Sequence, residues 1–400
     1  MSKNADPVRH MDRWKYFALI FVLVGSLSDY SVFFRGTIFP TVFVLGSCFL
    51  FVTLYLVIDD RTLHIPRYLL VPLTTLLCAY AITMPFRPEV FYRSIIDITV
   101  LSVSVLLIPQ VIDRSLFFYF VQNLSVLLVL IGLPAVIIGP YSLFGTTIGY
   151  PWQASLPILP GTWYPLQSIY TNPNFLSAFI LGGMLTALYS YDKLDNSYSL
   201  FACLVSGGGL LLTQSRSAIF IGAFAIFGYI FYKMWGPQIF PPVVIGSILL
   251  GVGGFFLLVF GVGPLSQVSL SGRREIWQAS ILVLIEKPLI GYGPVPLGPI
   301  IETKLGSSKP PHSSYIRMFL ETGIVGGVSY IWTISTILYQ HIRLPIDGES
   351  AICFLLGLSL ATIMVFETFT LSGIGSSSIL ASITFGYLID DFNSYALAGD

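Results

Sequence analysis

Residues 115–139 read SLFFYFVQNLSVLLVLIGLPAVIIG, a run without one charged side chain. A helix rising 1.5 Å per residue carries such a run about 37 Å, enough to cross a hydrocarbon core roughly 30 Å thick. Similar windows recur on both sides of it. Toward the N-terminus they cover 15–34, 37–58, 68–85 and 94–110; toward the C-terminus they cover 172–190, 198–213, 217–235, 240–262, 313–338, 350–370 and 372–389. The sequence therefore predicts an all-α integral membrane protein of about twelve transmembrane helices.

Composition gives the same answer. Of 400 residues, 55% are hydrophobic and 10% charged, with a mean hydropathy of +0.82. Soluble domains carry about 25% charged residues, so the bilayer has to serve as solvent. Twenty basic side chains balance twenty acidic ones, which leaves no net field to attract nucleic acid. Cys48, Cys78, Cys203 and Cys353 all fall in apolar stretches without CxxC spacing, as expected of small buried hydrophobes rather than of a zinc site or disulfide framework.

Charge placement orients the chain. With the basic N-terminus inside and its first apolar run read as an uncleaved helix, the inner segments hold Lys3, Arg9, Arg13, Lys15, Arg61, Arg67, Arg114, Lys193, Lys233 and Arg343. The short outer loops hold only Arg35, Arg87, Arg93 and Arg216. Both termini are thus expected in the cytoplasm of a multi-pass plasma-membrane protein. Two segments interrupt the alternation, 140–171 and the longer 263–311, and both are expected outside. In the second, GRREIWQASILVLIEKP carries an apolar run too short to span, so a short interfacial helix is predicted. Trp152, Trp163, Tyr164 and Tyr170 suit the headgroup layer or, alternatively, glycan stacking. Neither an internal repeat nor a separable soluble domain is evident, so residues 1–400 form one membrane domain.

Reactive side chains are few. His10, His64 and His341 belong to inner segments, leaving His312 as the outer histidine and the candidate general base. A helix N-terminus there would keep its imidazole neutral; a polar cap on a membrane helix is the alternative. Arg216, in LLLTQSRSAIF, has to lie near the hydrocarbon boundary, where it either snorkels or meets an anion. Arg273 and Arg274 precede the interfacial helix, with Ser271 or Gly272 as its cap, and suit either solvent or a phosphate. Asp29, Asp97, Glu321 and Glu367 lie inside or beside spans, where acids are functional candidates or partners for the outer arginines. Glu321 also stands four residues after Arg317, the spacing of a local ion pair. Asn123 opens an N-x-S triplet but adjoins an inner helix start, so it is not read as a glycan acceptor.

Four segments in order carry a resemblance: TNPNFLSAFI at 171–180, LLLTQSRSAIFIGAF at 210–224, SGRREIWQASILVLIEKPLIGYGP at 271–294 and PHSSYIRMFLETGIVGGVSY at 311–330. Together they resemble the O-antigen ligase and polymerase family of polytopic glycan transferases, over roughly residues 170–340. The resemblance implies about twelve helices, a large outer loop before the histidine, and transfer of a glycan from a polyprenyl-pyrophosphate carrier to a glycan, lipid or protein acceptor. It implies no cofactor and no metal. Carried over residue by residue, it puts Arg216 and Arg273 on the donor pyrophosphate and His312 on the acceptor hydroxyl, with Arg274 and Glu321 as possible supports. Many members have Asn after the histidine, where this chain has Ser313. The competing readings are a transporter or flippase for lipid-linked glycan, which predicts matched broken helices, and a non-catalytic scaffold, which predicts that the arginines and histidine lie dispersed.

Overall fold

The computed structural model describes residues 13–34, 36–58, 63, 65–86, 88–155, 161–238, 240–242, 244–246, 272–344 and 347–398. Most of the predicted ninth span, the first part of the long loop with Ser271, and Lys3, Arg9, His10, Arg35, Arg61, His64 and Arg87 lie outside the described residues. The chain is mostly helical. In order come α1 (Arg13–Asp29), α2 (Phe39–Ile58), α3 (Arg67–Thr83), α4 (Pro88–Val111), α5 (Arg114–Ile138), α6 (Pro173–Leu194), α7 (Ser197–Leu212) and α8 (Arg216–Trp235). After them follow α9 (Arg273–Glu286), α10 (Gly298–Leu305), α11 (Ser314–Ile342), α12 (Gly348–Ile363) and α13 (Ser376–Ala398).

Among the described residues, α4, α5, α6, α8 and α11 are long and apolar enough to cross a membrane. Alternation of the helices brings Arg114, Lys193, Lys233 and His341 to one end. Ion pairs Arg114–Asp391, Lys193–Glu349 and Lys233–Asp192 lie there. Arg216, Arg273 and His312 lie at the other end. The residues expected inside and those expected outside thus lie at opposite ends of the helices. Between the ends, α6 runs through the middle and is buried on nearly every face. Ser125 of α5 and Ser206 of α7 hydrogen-bond at 2.9 Å, one of the polar contacts that bind helices where no hydrophobic force acts between them.

Several expectations need correction. The helix predicted at 94–110 begins six residues earlier, at Pro88, because proline is at home in a helix's first turn and Arg93 lies on the helix rather than in a loop. The segment 140–171, expected as a loop, holds among its described residues two antiparallel hairpins, β1 (Tyr141–Leu143) with β2 (Thr146–Ile148) and β3 (Ala154–Ser155) with β4 (Thr162–Trp163). Among its described residues the long loop contains a second helix, α10, besides the predicted α9. Of the cysteines, Cys48 and Cys353 are buried, Cys203 is half-buried and Cys78 is exposed.

The consequential difference lies between α12 and α13. The sequence predicts the last two spans to 370 and from 372, but α12 ends at Ile363 and α13 starts at Ser376. Residues 364–375 instead form an irregular connection packed inside the bundle end. Its backbone is satisfied by side chains from other helices: Ser314 Oγ donates to Glu367 O, Ser382 Oγ to Leu371 O, and Leu371 N–H to Tyr330 Oη at 3.2 Å. Non-helical backbone survives at such a place only where protein supplies the partners that lipid lacks.

Candidate functional site

Three helix starts and this connection build the site. At α6, Asn172 accepts from the Asn174 N–H at 2.9 Å and Pro173 takes the first helical position, so Asn-Pro-Asn is a capping sequence. The Asn174 side chain is left to hydrogen-bond the carboxylate of Glu367. At α9, Gly272 turns the chain in a left-handed conformation and Arg273 opens the helix. The Arg273 guanidinium donates through Nη2 to Glu367 Oε1 at 3.1 Å, and Glu367 is only 3% exposed. Four residues on, on the same face, the Trp277 indole N–H donates to Pro311 O at 3.0 Å.

That bond fixes the residue before His312. His312 has φ +46°, a left-handed conformation uncommon outside glycine. It is held from both sides. Trp277 restrains Pro311, and Ser314 binds the 364–375 connection through its N–H, 2.8 Å to Met364 O and 2.9 Å to Glu367 O. Ser313 caps α11 by accepting from Ile316 N–H. Asn and Ser serve equally well as N-caps, so the capping done by Ser313 is a role that Asn would fill as well. The imidazole is half-buried. Burial, then the positive charges of Arg273 and Lys309, lower its pKa below the usual 6.5. The sequence expected this direction from a helix N-terminus; desolvation and two neighbouring cations produce it instead.

Next to this cluster, α11 is broken. Gly323 has φ +68° within the helix, and the freed carbonyls of Leu320 and Glu321 accept from Tyr292 N–H and Gly293 N–H, each at 2.8 Å. Ile324 N–H donates back to Pro288 O at 2.7 Å. A side chain on Gly323 would meet Leu289 O at 2.1 Å. The Pro-Leu-Ile-Gly-Tyr-Gly and Glu-x-Gly motifs are thus two sides of one backbone lock. Glu321 is 1% exposed and pairs with Arg317 at 2.8 Å, the local pair its spacing predicted. Asp29 and Asp97 are within electrostatic reach of Arg317 and of Arg93.

The structure thus brings Arg273, His312 and Glu367 together and sets the Arg317–Glu321 pair on the helix that His312 precedes. Arg274 follows Arg273, half-buried in the first turn of α9. Arg216 stands apart from these bonds: it is exposed in the first turn of α8 and has no ion-pair or hydrogen-bond partner among the described residues. Its turn is tied to the hairpin segment. Leu166 N–H donates to Leu212 O at 2.8 Å, and Gln214 Nε2 donates to Trp163 O at 3.3 Å. Glu367, one of four acids the sequence offers as functional candidates or as partners for the outer arginines, pairs with Arg273; which acid meets which arginine was not readable from spacing, because no cation lies near Glu367 in the chain. Among the described residues no group of three His, Cys, Asp or Glu side chains has metal-binding geometry.

Residues 201–331 match the family model described as O-antigen ligase. The matched stretch runs from α7 into α11 and contains Arg216, Arg273, His312 and Glu321, whereas Asn174 and Glu367 lie beyond it. The match supports a membrane protein with a glycan-transferring function in general, acting on lipid-linked glycan. No curated protein matches the chain.

Proposed function

We propose that the chain transfers a glycan from a polyprenyl-pyrophosphate carrier to an acceptor hydroxyl in cell-surface polysaccharide synthesis. On this reading the lipid lies among the helices, both termini are cytoplasmic, and segments 140–171 and 263–311 form the outer loops of a single membrane domain. The observation that supports it most is the pairing of chemistries at one bundle end. A half-buried imidazole whose pKa is lowered by burial and by neighbouring cations stands beside a guanidinium that, among the described residues, is held by one carboxylate contact.

His312 accepts the proton of the acceptor hydroxyl as that oxygen attacks the anomeric carbon. The bond from the anomeric carbon to the pyrophosphate oxygen breaks, its electron pair leaves with the polyprenyl pyrophosphate, and the anomeric configuration inverts. Arg273 and Arg216 bind the pyrophosphate and stabilise the charge that grows on it. Arg216 suits this role because it is exposed and unneutralised among the described residues, so an anion meets no competing carboxylate there. Arg274 and Glu321 support the site, the latter by holding Arg317 and, through its carbonyl, the loop at Gly293. No metal or cofactor is assigned a step.

The test is transfer in vitro by purified protein supplied with a polyprenyl-pyrophosphate-linked glycan. His312→Ala is expected to lower turnover by about 100- to 10,000-fold, the usual contribution of a general base. Undiminished turnover in that variant would refute the assignment.

A further inference from the structure

Glu367 belongs to none of the four motif segments, yet three of them reach it. Asn174, from Asn-Pro-Asn, hydrogen-bonds its carboxylate. Arg273, from Ser-Gly-Arg, donates to Oε1 at 3.1 Å. Ser314, two residues after the histidine, donates to its carbonyl through both N–H and Oγ. A carboxylate so deeply buried persists only when it is paired and hydrogen-bonded.

The pairing is also one-sided. A guanidinium has five N–H donors in a planar fork, and Glu367 engages Nη2. That contact fixes the plane, and among the described residues the remaining donors have no partner, so they stay available to an anion. The main chain of the same residue, bound by Ser314, sets the start of α11 relative to that plane. Side chain and carbonyl of one residue thus tie the cation to the segment that carries the histidine, across 94 positions of sequence on one side and 53 on the other.

We propose that Glu367 is a positioning residue for glycan transfer: its carboxylate holds the Arg273 guanidinium in the orientation that receives the donor pyrophosphate, at a distance from His312 set by its own carbonyl. This rests on the reading of the site given above. It separates Glu367 from an ordinary structural ion pair, because the effect of removing it runs through Arg273.

A double-mutant cycle on the purified full-length protein decides it, with rates measured for a polyprenyl-pyrophosphate-linked glycan donor at saturating acceptor. Glu367→Ala is expected to lower kcat/KM for the donor by up to about 100-fold, the cost of a misplaced binding group, with KM for the acceptor unchanged. In an Arg273→Ala background the same substitution is expected to cost nothing further, since the partner is already gone. Wild-type kinetics in Glu367→Ala, or an equal loss in both backgrounds, would overturn the proposal and leave the transferase reading standing. Failure of the wild-type protein to transfer glycan at all would remove both.

Should Glu367→Ala not elute as folded protein, Glu367→Asp is carried through the same cycle. It keeps the carboxylate but draws it back by one methylene from Arg273 Nη2. A loss of kcat/KM for the donor is expected with Arg273 present and none in the Arg273→Ala background. Wild-type kinetics in Glu367→Asp, or an equal loss in both backgrounds, overturns the proposal.

Discussion

Arg273 and Glu367 stand 94 positions apart in the chain, yet the guanidinium Nη2 donates to Oε1 at 3.1 Å in a setting where the carboxylate is only 3% exposed. The contact joins the start of α9 to the irregular connection between α12 and α13. Removing one member of such a pair leaves the other as an uncompensated buried charge, at a typical cost of about 3–5 kcal/mol.

Arg273 and Arg216 should therefore respond differently to truncation. Arg273→Ala is expected to lose both activity and thermal stability, because Glu367 is stranded. Arg216→Ala should lose activity with an unfolding midpoint near that of the wild type, because Arg216 is exposed and unpaired among the described residues. Arg216→Lys should also impair transfer, since a point charge does not reproduce a planar fork. Unfolding curves in detergent, run beside transfer assays, check all three; equal destabilisation by both alanine variants would contradict the geometry.

Activity should persist into mildly acidic solution. A general base works only when unprotonated, so the rate falls as pH drops through the folded pKa of His312, which burial, Arg273 and Lys309 hold below 6.5. Lys309→Ala removes one of those cations and should shift the acid limb upward, toward the ordinary histidine value. A limb at or above the ordinary value in wild-type protein would rule out this account of the imidazole.

Trp277→Phe keeps the aromatic packing of α9 but deletes the N–H that holds Pro311. The loss of one such bond is worth about 1 kcal/mol. With His312 in a left-handed conformation depending on that restraint, turnover is expected to drop by roughly tenfold while the protein remains folded. Wild-type turnover in Trp277→Phe would show that Ser314 alone suffices.

Gly323→Ala should be among the most disruptive single-methyl additions in the chain. Its φ is +68°, and the new carbon would lie 2.1 Å from Leu289 O, a backbone atom that cannot swing aside. Strain at a left-handed position alone costs on the order of 1–3 kcal/mol, and the clash adds to it. A drop in unfolding temperature is the readout; no drop would mean that the lock between residues 288–293 and α11 is dispensable.

Ser313 gives a substitution expected to be neutral. Ser313→Asn preserves the N-cap of α11 and should match wild-type activity and stability, whereas Ser313→Ala should lose about 0.5–2 kcal/mol of stability. Loss of activity in the Asn variant would show that position 313 does more than cap the helix.

Much of this architecture was legible along the chain. Charge-free runs such as 115–139 declare themselves as helices because lipid offers no partner for an unpaired backbone group. The division of Arg114, Lys193 and Lys233 from Arg216, Arg273 and His312 was equally visible, since successive helices run in opposite directions and place alternate connections at opposite ends. The Arg317–Glu321 pair could be read from its spacing, because helix geometry alone makes fourth neighbours meet.

Only the tertiary structure revealed where those runs stop and what meets at their ends. Residues 364–375 are apolar enough to read as parts of two spans, and nothing local forbids a helix there. They are irregular because Ser314 and Tyr330 of α11 and Ser382 of α13 offer their backbone other partners. For the same reason Glu367 looked like one acid among four until Asn174, Arg273 and Ser314 were seen to converge on it. Sequence determined that this chain enters a membrane and which residue types could react at one end of it. The meeting of Arg273, His312 and Glu367 was decided by packing, because contacts between distant segments depend on how helices cross and not on the spacing within any one of them.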